Sequence, residues 1–135
     1  MNIDISLNTP IEEGEVVALY EANAWSSAKK TKELLAALRN SHTLVVARNG
    51  GKLIGIGNAI SDGYLVVYYP HLLVHPEYQG IGVGRKIMER MQTIYGSFHQ
   101  QMITADGDAI TFYKKLGFER AGKTESMWIY AGDDH

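Results

Sequence analysis

Cysteine is absent from the 135 residues. That excludes disulfides, thiolate metal sites and a cysteine nucleophile. Neither sign of charge dominates: 13 Lys and Arg stand against 15 Asp and Glu, a formal net charge of −2. A general nucleic-acid binder carries a basic excess, so no nucleic-acid partner is expected. No apolar run approaches the ~20 residues of a membrane-spanning helix, and Met1-Asn2-Ile3-Asp4-Ile5 does not open a secretory signal. No membrane partner is expected, and the reading is a soluble, cytoplasmic protein. Proline occurs three times only, at 10, 70 and 76, so each one marks a specific break in local structure.

What is present is an ordinary globular composition, 45% apolar and 21% charged, long enough to bury its own core as one domain over 1–135. Ile3, Ile5 and Leu7 alternate with polar residues as a first strand. Thr9-Pro10-Ile11-Glu12 reads as the capped start of a helix carrying Val16, Val17, Leu19 and Tyr20. A second helix is expected from about Ala28 to Arg39. Leu44–Ala47 and Leu53–Ile60 flank the hairpin turn Asn49-Gly50-Gly51. Gly55 and Gly57 mark close approach by another group. A long strand follows from Tyr64 to Val74, and Pro70 within it predicts a bulge or splayed edge. A helix carrying Ile87, Met88, Met91 and Ile94 ends at Gly96, and Met102 and Ile103 belong to another strand. A short helix from Asp106 to Leu116 is capped by Gly117. Phe118–Ala121 and Met127–Tyr130 read as a final pair of strands. The expected fold is a mixed α/β domain, β-α-α-β-β-β-α-β-α-β-β, with helices on both faces of a twisted sheet.

The densest local signal is Gln79-Gly80-Ile81-Gly82-Val83-Gly84-Arg85-Lys86, between the strand ending at His75-Pro76 and a helix. Glycines there let backbone N–H groups approach an anion closely, and the helix N-terminus favours a phosphate. A dinucleotide loop needs G-x-G-x-x-G, but Arg85 stands where the third glycine belongs. A Walker loop needs glycine at 79, where glutamine stands. The pattern that fits throughout is [QR]-x-x-G-x-[GA]. It follows Val74-His75-Pro76, and some thirty residues later comes Ala109-Ile110-Thr111-Phe112-Tyr113-Lys114-Lys115-Leu116-Gly117-Phe118. In these blocks and in element order the chain resembles the GNAT superfamily of N-acetyltransferases. The small branch that includes the arylalkylamine enzymes is the finer likeness.

The resemblance implies acetyl-CoA as co-substrate and transfer of its acetyl group to the primary amine of a small molecule, by direct attack in a ternary complex. It places the pyrophosphate on Gln79, Gly80, Ile81, Gly82, Val83 and Gly84, with Arg85 and Lys86 beside it. It places the pantetheine arm on the backbone of Leu73 and Val74. Tyr113 takes the position of the leaving-group acid; its phenol has an ordinary pKa near 10. Asp106 stands where the family often has asparagine. His71, beside the expected bulge, is the candidate base or relay. Trp25, Tyr68 and Tyr69, with Tyr64, are candidates for an acceptor pocket. The likeness also leaves open a protein or peptide acetyltransferase, or an acetyl-CoA-binding regulator without turnover. A homodimer through the terminal strands is a further expectation. No metal is expected: His71 and His75 on one strand lie roughly 13 Å apart, and His42, His99 and His135 form no pattern.

Overall fold

The computed structural model describes residues 1–133; His135 lies outside the described residues. Five strands form one sheet in the order β1-β2-β3-β4-β5. They are β1 (Ile3–Leu7), β2 (Thr43–Asn49), β3 (Lys52–Ser61), β4 (Val66–Val74) and β5 (Gln100–Met102). The first four pair antiparallel, and β5 joins β4 in parallel. The helices are α1 (Glu13–Ala22), α2 (Thr31–Arg39), α3 (Val83–Tyr95) and α4 (Ala109–Lys115). No helix is long and apolar enough to cross a membrane among the described residues.

The sheet separates two cores. On one face, Val16, Leu19 and Tyr20 of α1 and Leu34 and Leu38 of α2 meet Val46, Ile56 and Leu73. On the other, Val83, Ile87, Met88, Met91 and Tyr95 of α3 meet Val45, Ala47, Val67 and Tyr69. Gly55 and Gly57 are where α3 approaches most closely. A Cβ on Gly57 would stand 2.6 Å from Cγ2 of the fully buried Ile87, and one on Gly55 would stand 3.1 Å from Val83. The α1 face is locked by Arg48 on β2, whose guanidinium donates to both carboxylate oxygens of Glu15 at 2.8 and 2.7 Å. That pair holds the Glu15 carboxyl below its ordinary range.

Two sequence expectations about helix starts shift. The N-cap of α1 is Glu12, not Thr9: the Glu12 N–H donates to Glu15 at 3.0 Å, while the Thr9 hydroxyl bonds Ser6. The second helix is broken, because Ser26–Lys29 is a 3₁₀ turn and α2 begins at Thr31. The larger correction is at the C-terminal end. Neither Phe118–Ala121 nor Met127–Tyr130 forms a strand. The sequence preference is strand-like, but a strand needs a neighbouring ladder. These residues instead leave the sheet: the Tyr130 hydroxyl lies 3.4 Å from that of Ser26, and Lys29 donates to Asp133 at 2.9 Å.

Gly57→Ala is expected to cost about 1–3 kcal/mol through overpacking against Ile87, read from urea denaturation. An unchanged midpoint and slope would mean α3 is not seated as described.

Candidate active site

The site begins with a defect in the β3–β4 ladder. Asn58 pairs with His71 and Ile60 with Tyr68, so Tyr69 and Pro70 together oppose Ala59. This is a bulge at the proline, as its sequence position predicts. Asn58 holds it. Its side chain is buried; Oδ1 accepts from the His71 N–H at 2.9 Å, and Nδ2 donates to the Ser41 hydroxyl at 3.1 Å.

An extra residue reverses the two-residue alternation of a strand. Before the bulge, Val67 and Tyr69 point into the α3 core. After it, His71 and Leu73 point to the α1 face: Leu73 joins that core, and His71 meets Tyr20 and Trp25. The bulge also ends pairing with β5, which is confined to Val66, Val67 and Tyr68. Beyond Tyr68 the far edge of β4 is open.

Which peptide groups face that opening follows from the ladder. The His75 N–H donates to the Ile54 carbonyl at 2.7 Å, and the His71 N–H is turned toward Asn58. Alternation turns Leu73 toward β3 as well and directs Leu72 and Val74 to the open edge. Val74 faces that edge, and its carbonyl accepts from Gln79. Leu73 does not: its backbone is committed to β3, and Leu72 takes over.

The glycine loop closes one end of this opening. Pro76–Tyr78 forms a 3₁₀ turn, and the Gln79 side chain ties back to β4 by donating to the Val74 carbonyl at 3.0 Å and to Asn23 Oδ1 at 3.4 Å. Gly80 (φ +80°) and Gly82 (φ +93°) adopt left-handed backbone, with no atom within 4 Å of where a Cβ would lie. Gly82 is the N-cap of α3. The loop therefore presents uncluttered backbone at the start of a thirteen-residue helix, with Ile81, Arg85 and Lys86 exposed. Val83 faces inward and anchors the helix. This cradle and the open β4 edge fit an extended ligand carrying a pyrophosphate.

α4 meets the loop from the α3 side. Phe112 lies 3.4 Å from where a Gly84 Cβ would be, and Tyr113 packs between Phe112 and Phe118. Burial pushes the Tyr113 phenol up to about 12. Asp106 accepts from the Ala109 N–H through its backbone carbonyl at the entrance to α4.

The opposite wall is aromatic. The rings of Trp25 and His71 meet edge-on at 5.0 Å, and Tyr20 crosses Trp25 at 5.7 Å. The Tyr20 hydroxyl lies 2.8 Å from His71 Nδ1. Burial keeps the Tyr20 phenol protonated well above its ordinary range. A buried phenol must donate its hydrogen, so Nδ1 is the acceptor and the imidazole proton sits on Nε2. Burial also lowers the His71 pKa from 6.5 to about 4. Such a nitrogen holds no proton at neutral pH, and the candidate base becomes a neutral ring fixed in orientation. Tyr69 is corrected too: it is 4% exposed, bonds Gln101 at 2.6 Å and faces the α3 core, away from the acceptor wall. Tyr68, half exposed on the His71 side of β4, remains at the rim, while Tyr64 is 90% exposed on the preceding turn. Sequence reading missed Tyr20, which looks like one more apolar helix residue. It also missed Asn58, whose signal was a lone polar residue inside an apolar strand.

A model of the acetyltransferase (GNAT) domain matches residues 40–120. The chain belongs to the GNAT acetyltransferase family. The matched span runs from the end of α2 past α4 and includes the loop, the bulge and Tyr113. An uncharacterized N-acetyltransferase of Pyropia yezoensis is 28% identical over 123 residues, 87% of this chain and 70% of that protein. The N-alpha-acetyltransferase RimI of Mycobacterium tuberculosis is 30% identical over 115 residues, 82% of this chain and 71% of its own length. Among solved structures, a GNAT family acetyltransferase of Streptococcus pneumoniae superposes with a TM-score of 0.83 at 25% identity, covering 96% of this chain and 99% of that one. GNAT membership implies acetyl-CoA as the co-substrate.

The depressed His71 pKa carries a stability consequence. The unfolded chain binds a proton there near pH 6.5 and the folded chain only near 4. Its contribution is complete above pH 6.5 and is lost as pH falls toward 4, by up to about 3 kcal/mol. His71→Gln should therefore flatten the fall of the urea midpoint across that window. Equal slopes for the two proteins would contradict the assigned burial.

Proposed function

We propose that this chain transfers an acetyl group from acetyl-CoA to the primary amine of a small molecule with an apolar or aromatic body. Attack is direct, with donor and acceptor bound together. The observation that carries this is the parting of β4 from β5 beyond Tyr68. It has the phosphate cradle and the Leu72 and Val74 peptide groups on the donor side, and the Tyr20–Trp25–His71 wall on the acceptor side. When bound, acetyl-CoA supplies an activated thioester whose sulfur must leave as the C–N bond forms.

The chain's own groups divide the remaining work. The start of α3 and the glycine loop hold the pyrophosphate, and Arg85 and Lys86 add positive charge. Leu72 and Val74 pair with the pantetheine arm as a strand would. Tyr113 holds its proton at neutral pH. A phenol near 12 is a weaker acid than a thiol near ~8.5, so complete transfer is uphill. The O–H therefore acts as a hydrogen-bond donor to charge developing on sulfur. Trp25 and Tyr68 pack the acceptor's apolar body. His71 offers an Nε2–H but no basic nitrogen, so the amine loses its ammonium proton to solvent before it attacks, and the proton shed by nitrogen after the C–N bond forms passes through solvent to balance protonation of the departing thiolate.

A second reading, the free α-amine of a peptide, is supported by the likeness to RimI. It also suits a site without a strong base, because an α-amine titrates near ~8 whereas an alkylamine such as lysine's titrates near ~10.4. Thiol release from acetyl-CoA across arylalkylamines and free peptides separates the two. Preference for the small amines supports the first reading, and at least tenfold preference for peptides replaces it. Tight acetyl-CoA binding without release on any amine would make the chain a regulator.

Two further outcomes are expected. Tyr113→Phe should lower kcat by ~100-fold while acetyl-CoA affinity is retained; unchanged kcat removes Tyr113 from the reaction. The kcat/KM should rise about tenfold per pH unit below the amine's own pKa, with the same profile in His71→Gln. An inflection near pH 6.5 that disappears in that variant would restore His71 as the base.

A further inference from the structure

Beyond the aromatic wall, the α1 face of the sheet carries an apolar strip left uncovered by the helices. Ile60 of β3 is the register partner of Tyr68 on β4, and Tyr68 is the register partner of Met102 on β5. Register partners share a face of the sheet. Their neighbours fix which face. Ala59, Val67 and Tyr69 point into the α3 core, and Gln101 bonds Gln92 of α3. Ile60, Tyr68 and Met102 therefore face the α1 side, and Val66 lies beside Tyr68 on that side. Their exposures are 56%, 41%, 38% and, for Val66, 37%. Across three strands the row spans roughly 10 Å.

The strip adjoins the acceptor wall. Along β3 the next residue on this face is Asn58, and Asn58 pairs with His71. One row of side chains thus separates Ile60 and Tyr68 from the contact between His71 and Trp25. None of the four strip residues is charged. The nearby Asp62 carboxylate is turned back onto the N–H groups of Tyr64, Leu65 and Val66. The four side chains expose on the order of 300 Å², the scale of a ligand patch. A stable protein interface takes ~800 Å² from each partner, so a second copy is poorly matched to this surface.

We propose that the strip is the far half of the acceptor site and that the acceptor is a primary amine on a long, unbranched apolar chain. The chain leaves the amine at the His71 wall, passes over Tyr68 and lies across Ile60, Val66 and Met102. This rests on the proposed transfer to a small amine and adds the length and the far end of that amine. A strip without charge offers no partner to a second ionised group, so an acceptor with a carboxylate at its far end is disfavoured.

Thiol release from acetyl-CoA across the series from propylamine to octylamine tests this. An open strip covers one side of the chain, so kcat/KM should rise about twofold per methylene and roughly 30-fold over the series. A carboxylate at the far end of the octyl chain should abolish the gain. The Ile60→Ser, Met102→Ser double variant, with folding confirmed by far-UV circular dichroism, should cut the gain ~tenfold. A second readout needs no turnover: in protein loaded with coenzyme A, octylamine should shift the Ile60 and Met102 methyl resonances and propylamine should leave them in place. Equal kcat/KM along the series, or a gain that survives in the folded double variant, overturns the strip assignment and leaves the small-amine reading standing. Neither release nor a methyl shift with any amine overturns both. A dimer in light scattering that Ile60→Asp dissociates would put a second copy on the strip and also overturn the assignment.

Discussion

The site depends on one extra residue in β4. With Tyr69 and Pro70 opposing Ala59, the strand changes phase, and the consequences run in two directions. Laterally, β4 parts from β5 and turns the Leu72 peptide groups and the Val74 N–H to an open edge, with the Val74 carbonyl held by Gln79. Across the sheet, the residues after the bulge exchange faces with those before it. His71 therefore meets Tyr20 and Trp25 instead of the α3 core. A regular strand would have closed the gap and pointed His71 into the other core. Pro70 favours the break because it has no N–H for a ladder, but the bulge is held by Asn58, whose amide replaces the missing strand-to-strand bond at the His71 N–H.

The electrostatics of the two sides are unlike. The side proposed for the donor is backbone and cation: left-handed glycines, the start of α3, Arg85 and Lys86. The acceptor side is neutral and aromatic, with a phenol and an imidazole that burial holds uncharged at physiological pH. On the proposed assignment, a pyrophosphate meets the side where charge is welcome, and an uncharged amine the side where charge is penalised. The proposed division keeps the anionic end of the donor away from the apolar wall.

Much of this was legible in the sequence, for a physical reason. The glycine loop, the Asn49-Gly50-Gly51 turn and the break at Pro70 are all local, each residue type required by its own backbone or immediate neighbour, while Gly55 and Gly57 show that something approaches but not that it is Val83 and Ile87 of α3. What was not legible depends on phase or on distant contacts. Leu73 and Tyr69 were assigned to the wrong side because a bulge sets the facing of every later residue, and only pairing with β3 shows where the extra residue falls. Tyr20 acts across fifty-one positions of chain on His71, which periodicity cannot show. Met127–Tyr130 has a strand's sequence, yet it pairs with no strand among the described residues, so local preference was insufficient.

The central claim is that the Pro70 bulge exposes a β4 edge that pairs with acetyl-CoA. Titrating the isotope-labelled protein with coenzyme A while following backbone amides tests it directly. The account predicts large shifts at Leu72, Val74 and Gly80–Gly84, with slowed hydrogen exchange at Leu72 and Val74 and little change at Leu73. Shifts confined to the glycine loop, or exchange at Leu72 and Val74 that stays as fast as in the free protein, would contradict it.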